Sequence, residues 1–348
     1  MPHTGRKDIT ALSAAESAAL IEAAGEPPYR AGQLEQWLFS RAAAAFDEMT
    51  DLPAAFRENL ARSFFIPRPF VRDEAADDDG TVKYLLELHD GALVEAVYMP
   101  GDDHDAVCLS SQVGCRFDCR ICATGRLGFR RNLTPYEIFA QFAVVQNRRA
   151  PDRVRNAVFM GQGEPLANFE AVAAAVDLLR RHFDVGSRRI TISTVGLVDK
   201  IRRWAEVGPP VKLAISLNSA VQETRDELMP SAARYPLAEL AAACRYYGRR
   251  ARRRLTFEYV LCAGVNDDGA HARALVDFTR NVPSKINVIP FNDWPGAPYA
   301  PPGEETLAAF LAEVAHGPMA LTVRRPRGTS VHAACGTLAN RKLAGTGV

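Results

Sequence analysis

The chain has 348 residues, 47% of them hydrophobic and 24% charged, and a formal net charge of +1 at pH 7. That balance excludes a disordered chain or a polycation, so any contact with nucleic acid must come from local clusters of arginine. No run reaches the ~20 apolar residues of a membrane span, residues 1–8 lack the apolar core of a signal peptide, and seven cysteines, three of them crowded together, suit a reducing cytoplasm better than a disulfide framework.

The first hundred residues read as a small helical domain joined to a β-hairpin (1–100). Residues 12–24 carry apolar side chains at helical spacing, Pro27-Pro28 interrupts them, and residues 29–45 resume with Leu34, Trp37, Leu38 and Phe39 toward one face. Asp51 is the expected N-cap of a third helix, with Pro53 in its first turn. The period then changes to two. Residues 82–88 and 92–99 read as strands behind the turn signals Asp79-Gly80 and Asp90-Gly91. The Asp77-Asp78-Asp79 run reads as a solvated loop.

From 101 to 348 strands and helices alternate. Short β-branched runs occupy 105–111, 155–160, 189–193, 211–217, 255–261, 285–290 and 321–325, with helical segments such as 169–182, 237–247 and 270–281 between them. The pattern predicts an α/β fold with a parallel βα repeat, about six units forming an open or partial barrel. Glycine-rich and polar motifs follow the strands: Gly161-Gln162-Gly163-Glu164-Pro165, Ser193-Thr194-Val195-Gly196, Ser216-Leu217-Asn218, Gly264-Val265-Asn266-Asp267 and Phe291-Asn292. In such barrels the loops after the strands build the active site, so these motifs are expected at one mouth.

Cys115, Cys119 and Cys122 supply three thiolates and no fourth. Three thiolates can hold three corners of a 4Fe–4S cube and leave one iron open. An open iron can bind the amino and carboxylate groups of S-adenosylmethionine. A zinc site with Cys108 as fourth ligand is the alternative, although structural zinc usually takes two close pairs. Glu164, behind a glycine turn, suits an ammonium partner. Serine and asparagine suit ribose hydroxyls and adenine edges. Cys244 and Cys262 read as buried structural thiols.

The cysteine triplet with Gly128-Phe129 and Arg131-Asn132-Leu133-Thr134 resembles the RlmN/Cfr family of radical-SAM RNA methyltransferases. The same holds for Met160-Gly161-Gln162-Gly163-Glu164-Pro165, Ile289-Pro290-Phe291-Asn292, Pro295-Gly296-Ala297-Pro298-Tyr299 and Ala333-Ala334-Cys335-Gly336. Tyr29-Arg30-Ala31, Gln36-Trp37-Leu38 and Phe46-Asp47-Glu48-Met49-Thr50 match it near the N-terminus. The resemblance implies a partial (β/α)6-type radical-SAM barrel, with a C-terminal strand carrying the methyl-accepting cysteine, and an RNA-contacting N-terminal domain. It implies cluster ligation by Cys115, Cys119 and Cys122, and S-adenosylmethionine contacts from Gly163, Glu164, Ser193, Ser216, Leu217, Asn218 and Asn292.

By the same resemblance Cys335 is methylated first, and a radical then takes hydrogen from that methyl group. The carbon radical adds to an adenine ring, Glu95 accepts the ring proton, and Cys108 releases the product through a transient disulfide. The implied substrate is an adenosine at the peptidyl-transferase centre of 23S rRNA, at carbon-2, with tRNA as second substrate. The implied electron donor is a flavodoxin or ferredoxin, and the protein a cytoplasmic monomer. Carbon-8 methylation, another RNA target, or a non-catalytic zinc RNA-binding protein are the alternatives. The chain departs from the family pattern at Asn218, His332 and Thr337. Two arginine groups offer phosphate contacts: Arg245 to Arg254 with Tyr246 and Tyr247 interleaved, and Arg324, Arg325 and Arg327. The first group also reads as a solvated helix end.

Overall fold

The computed structural model describes residues 5–101, 103–325 and 327–338. Its N-terminal helices form a bundle with its own core. Helix α1 (Ala14–Ala23) starts from a Ser13/Glu16 capping box. Helix α2 (Arg30–Glu35) widens into a π-turn over Gln36–Ser40 and stops there, short of the expected Ala45, with Ala42 at φ 50°. Helix α3 (Ala54–Ser63) starts from Pro53. Asp51 is not its cap: its carboxylate accepts from Trp37 Nε1 and pairs with Arg41, tying the turn after α2 to the entry of α3. Ile21, Leu34, Leu38, Phe46, Met49, Phe56 and Leu60 fill the bundle, and the short parallel pair β1 (Lys7–Asp8) and β2 (Phe64–Phe65) closes it.

Beyond the bundle lies one ten-stranded mixed sheet. Strands β3 (Phe70–Ala76), β4 (Val82–Glu87) and β5 (Leu93–Met99) run antiparallel, and β5 pairs antiparallel with β6 (Ala106–Cys108). The hairpin is therefore hydrogen-bonded directly onto the first strand of the βα repeat. Strand β3 escaped the sequence pattern because it is an edge strand whose alternation runs through charges, in Phe-Val-Arg-Asp-Glu-Ala-Ala.

After β6 a small antiparallel pair, β7 (Gln112–Gly114) with β8 (Phe129–Asn132), brackets the three-cysteine loop. The βα repeat then runs through α4 (Pro135–Arg149), β9 (Asn156–Phe159), α5 (Phe169–Phe183), β10 (Ile190–Thr194), α6 (Val198–Val207) and β11 (Lys212–Ser216). It continues through α7 (Gln222–Leu228), α8 (Leu237–Ala251), β12 (Leu255–Leu261), α9 (Gly269–Thr279), β13 (Ser284–Pro290), α10 (Glu304–Val314) and β14 (Ala320–Val323). From β6 to β14 every pairing in this sheet is parallel. The order is sequential, as expected of six βα crossovers in a partial barrel. Each central strand turns one apolar face to the core, as with Ile190 and Ile192, Leu213 and Ile215, Phe257 and Tyr259, and Ile286 and Val288, while the alternate positions Ser193, Ser216, Glu258 and Asn287 fall on the other face.

Helix α4 is buried along most of its length, and Phe39 of the bundle packs edge-on against its Tyr136 and Phe139 while stacking on His182 of α5. No helix among the described residues is long and apolar enough to cross a membrane.

The start of α4 is fastened to β8 by a buried carboxylate. Glu137 takes both guanidinium nitrogens of Arg131, at 2.8 and 2.9 Å, and the Thr134 N–H at 2.8 Å. Removing one partner of a buried pair typically costs about 3–5 kcal/mol, and Arg131 retains some access to water. Glu137→Ala should therefore lower stability by about 3 kcal/mol in urea unfolding, and Glu137→Gln by less. A loss below about 0.5 kcal/mol, the range of an ordinary surface substitution, would contradict this account.

Candidate active site

Two strand-end loops approach each other closely at the C-terminal side of the sheet. A Cβ added to Gly161 would lie 2.7 Å from the Leu109 carbonyl oxygen, and one added to Gly163 would lie 2.6 Å from Gln112 Cβ. Gly163 also has φ +100°, which side chains rarely tolerate. Only glycines let the loops interlock, and the interlock is hydrogen-bonded throughout. Gly161 N–H donates to Leu109 O, Ser111 N–H to Gln162 O, and Glu164 N–H to Gln112 Oε1. Gln112 Nε2 in turn reaches Asn132 Oδ1 at 2.8 Å, linking the Gly163 loop to the far side of the cysteine loop.

The result is a cavity with Cys115, Cys119 and Cys122 on one wall and Gly163, Glu164, Ser193, Ser216, Asn218 and Asn292 around the rest. Ser193 and Ser216 hydroxyls lie 3.4 Å apart. Asn218 sits at φ 58°, a conformation asparagine tolerates, and its amide is engaged internally by Val260 N–H and Met229 Sδ. Leu217 is the exception among the expected cofactor contacts: its side chain is fully buried in the core and does not line the cavity. Asn292 donates to the Cys335 carbonyl oxygen, while its own Oδ1 is buried without a partner.

The donor set fits a cluster and its sulfonium ligand. Three thiols share a wall, a buried carboxyl faces them, and an unpartnered amide oxygen waits at the rim. It does not fit zinc. The zinc alternative needs Cys108 in one tetrahedral shell with the triplet. Cys108 lines a different cavity from the triplet.

That second cavity is lined by Cys108, Arg324, Arg325 and Arg327, among others. Cys335 lines both cavities, together with Met160, Ile289 and Asn292. The thiol therefore stands in the partition between them. Its segment is a run of turns after β14 rather than the strand expected to carry this cysteine, and it is held from several sides. Ala123 N–H of the cysteine loop donates to Gly336 O at 2.7 Å, and Thr124 Oγ1 to Leu338 O at 2.7 Å. Asp79 accepts from Gly328 N–H, and Asp77 from the Ser330 hydroxyl. The acidic run is the solvated loop expected, and two of its carboxylates also clasp this segment. Lys83 Nζ reaches the His332 carbonyl oxygen, and His332 itself sits at φ 50°. Thr337 caps the turn through Ala334 O.

Glu95 lines neither cavity. It is fully buried on β5, 3.2 Å from Lys83 Nζ and 3.4 Å from Gln162 Nε2, one layer behind both the Gly163 loop and the Cys335 segment. All seven cysteines are free thiols. Burial pushes Cys115 and Cys108 each up to about 12, with Cys335 adding to the rise at Cys108 and Arg324 opposing it. Arg324 itself is raised, first by the neighbouring Cys335, and its guanidinium lies against the sulfur atoms of Met160 and Met99.

Sequence reasoning missed Glu258. It is a nearly buried carboxyl on β12 that lines the first cavity, accepts from Asn287 Nδ2 at 2.9 Å, and is raised by burial. A lone acid within Leu-Thr-Phe-Glu-Tyr-Val-Leu was the available signal. The Arg245 to Arg254 group, by contrast, lies where α8 ends and β12 begins, at the opposite end of the strand from the cavities. Tyr247 is buried with its hydroxyl on Val211 O, and Tyr246 is bonded to Glu206, so neither ring is set out as a stacking platform. The cations suit the helix C-terminus instead.

Burial pushes Glu164 up to about 7, against hydrogen bonds from Val195 N–H, Thr194 and Leu166 N–H. An acid whose folded pKa exceeds its unfolded value holds its proton more tightly when folded. Ligand-free protein should therefore lose stability as pH rises from 4.5 through about 7. Thermal unfolding midpoints taken across that range should show the decline, and Glu164→Gln should remove it. An identical pH slope in the variant would refute the assignment.

Comparison with known proteins agrees with this geometry. Residues 7–66 match the ribosomal RNA large subunit methyltransferase N-terminal domain, and residues 109–275 match the radical SAM superfamily. The chain is 44% identical to the dual-specificity RNA methyltransferase RlmN of Anaeromyxobacter sp. (strain Fw109-5), over 96% of this chain and 91% of that one. It is also 44% identical to the RlmN of Rhodospirillum rubrum, over 97% and 81%. The crystal structure of a radical SAM methyltransferase from Sphaerobacter thermophilus superposes with a TM-score of 0.91 at 40% identity, covering 96% of this chain and all of that one. The chain belongs to the RlmN family of radical-SAM RNA methyltransferases, which work with a 4Fe–4S cluster and S-adenosylmethionine.

Proposed function

We propose that this enzyme methylates carbon-2 of an adenosine in RNA through a methyl-cysteine intermediate on Cys335. The substrates are 23S rRNA at the peptidyl-transferase centre and tRNA, in keeping with the dual specificity named for its relatives, and the setting is the cytoplasm. The observation that carries the reading is the position of Cys335 in the wall shared by two cavities, one holding the three-thiol loop and the other holding Cys108 and arginines.

Cys115, Cys119 and Cys122 would hold the cluster, which would supply one-electron reduction of S-adenosylmethionine and through it hydrogen abstraction. The protein's own groups do the rest. Glu164 takes the ammonium of the cofactor, its two oxygens already aimed by Leu166 and Val195 N–H groups at 2.9 and 2.7 Å. Gly163 lets the backbone come close, and Ser193, Ser216, Asn218 and Asn292 offer polar edges to the nucleoside part. Leu217 acts from behind the wall, its N–H on Glu258 O fixing the turn that presents Asn218.

Cys335 carries the methyl group from the first cavity toward the base in the second, as a covalent carrier. Glu95, the ring-proton acceptor that the family resemblance implies, lies one layer behind both cavities with Lys83 balancing its charge at 3.2 Å, so the proton reaches it only through a relay or a rearrangement of that layer. The Cys108 thiolate attacks the Cys335 sulfur, the bond from that sulfur to the transferred carbon breaks with its electron pair passing to the adenine, which takes up a proton to give the methylated base, and a transient Cys108–Cys335 disulfide remains. Residues 1–100 form an RNA-contacting unit built around the N-terminal helices, and the protein acts as a monomer reduced by a flavodoxin or ferredoxin.

The roles of the two cysteines separate cleanly. Cys335→Ala should accept no methyl group and form no RNA adduct. Cys108→Ala should still methylate Cys335 and join the base, then stall as a covalent protein–RNA complex visible on a denaturing gel. Both should retain iron. An adduct in the first variant, or normal turnover in the second, would overturn the assignment.

The exposed arginines of the second cavity should bind phosphate. Arg325→Ala and Arg327→Ala should each weaken RNA binding and reduce the slope of log affinity against log salt by about 1. An unchanged slope in both would place the RNA elsewhere.

A further inference from the structure

A third depression lies on the outer side of the cysteine loop. Cys115, Arg116, Phe117, Phe129, Arg234 and Tyr235 dominate its lining. It shares Cys115, Phe117 and Gly125 with the cofactor cavity and no residue with the arginine-lined second cavity. The three spaces therefore lie in series. The outer depression meets the cofactor cavity at Cys115, and the cofactor cavity meets the RNA-facing cavity at Cys335. We propose that the outer depression is the docking surface for an acidic one-electron carrier protein. This rests on the reading of Cys115, Cys119 and Cys122 as cluster ligands.

Three observations carry it. The first is position. Electron transfer falls steeply with distance, and the Cys115 side chain is part of the floor of this depression. Nowhere else in the three spaces does a cluster cysteine border a surface that is not also the wall of the cofactor or base cavity.

The second is charge. Arg116 and Arg234 are both exposed, and neither belongs to an ion pair among the described residues. The one acid on the lining, Asp118, spends its carboxylate on the Ser231 N–H at 2.8 Å. Arg120 and Arg126 add exposed positive charge on the same loop. Such a patch steers an acidic partner and raises its association rate.

The third is preorganisation. The Arg116 guanidinium lies 3.9 Å from the Phe129 ring centre. That of Arg234 lies 5.7 Å from Phe117 and 5.8 Å from Tyr235, with its Nε fixed on Ser231 O at 2.9 Å. Charges held on aromatic faces lose little side-chain freedom when a carboxylate arrives. RNA also favours arginine beside aromatic rings. Here, however, the adenine must reach Cys335, which faces the opposite end of the series, so a carrier protein is the better occupant. The chemical step is a single electron passing from the reduced carrier to the cluster, and no bond forms between the two proteins.

The test uses cluster-loaded full-length enzyme and a flavodoxin as probe. In Arg116→Glu/Arg234→Glu protein, flavodoxin binding, read by calorimetry, should weaken at least about tenfold and lose most of its salt dependence. Bleaching of the cluster absorbance by reduced flavodoxin should slow in parallel. Bleaching by dithionite and affinity for RNA should stay as in the unaltered protein. Undiminished flavodoxin binding would overturn the proposal. So would a loss of RNA affinity, which would assign the surface to RNA. If the double variant loads iron poorly, Arg234→Gln, farther from the ligands, carries the same comparison, and unchanged flavodoxin binding there is equally fatal. An unaltered protein with no dithionite-reducible cluster would overturn the underlying ligand assignment instead.

Discussion

The close approach of two strand-end loops, residues 109–112 and 161–164, is the constraint on which the site depends. The second loop has no room for a side chain at 161 or 163, where it meets the Leu109 carbonyl and Gln112, so glycine there is a packing requirement as much as a conformational one. Once the loops interlock, several consequences follow together. Glu164 is carried into the cavity with both oxygens already engaged. Gln112 is drawn tight between Glu164 N–H and Asn132, which positions the base of the cysteine loop. The chain between β7 and β8 is then free to present three thiols without needing regular structure of its own. Errors of an ångström here would reach both the three thiols and the carboxyl facing them.

A second consequence concerns separation. Radical chemistry demands that the reactive carbon meet one hydrogen and nothing else, which in protein terms means a wall with one opening. The segment around Cys335 is that wall. It is secured by backbone bonds to the cysteine loop, by the carboxylates of Asp77 and Asp79, and by Asn292. The only thiol shared between the two spaces sits in it. A residue in such a place needs little bulk around it, and Ala333, Ala334 and Gly336 supply none.

Much of this was legible in the sequence. The switch from helical to alternating to βα periodicity gave the fold class, because each period is a direct image of which faces are covered. The glycine-acid motif and the cysteine triplet gave the first cavity, because both are local. What escaped depends on pairing across long separations. Nothing in Asp77-Asp78-Asp79 announces that two of its carboxylates will clasp residues some 250 positions later. Edge strand β3 carries too many charges for an alternation count to register. Glu258 sits in an apolar strand, where only the cavity explains an acid. The run Arg245 to Arg254 shows the reverse error: density of charge along the chain says nothing about which end of a strand it occupies. Glu95 is another long-range case, since nothing beside it in the chain announces that Lys83, diagonal to it across the hairpin, meets it in the core.

The bonds from Ala123 and Thr124 to Gly336 and Leu338 join the start of the βα repeat to its finish. During synthesis the cysteine loop emerges roughly two hundred residues before the segment that covers it. Until residues 336–338 are made and docked, that side of the cysteine loop lacks these two bonds. The two ends of the βα repeat are thus fastened to each other at the site itself, so the pocket is complete only when the last strand and the turns after it are in place.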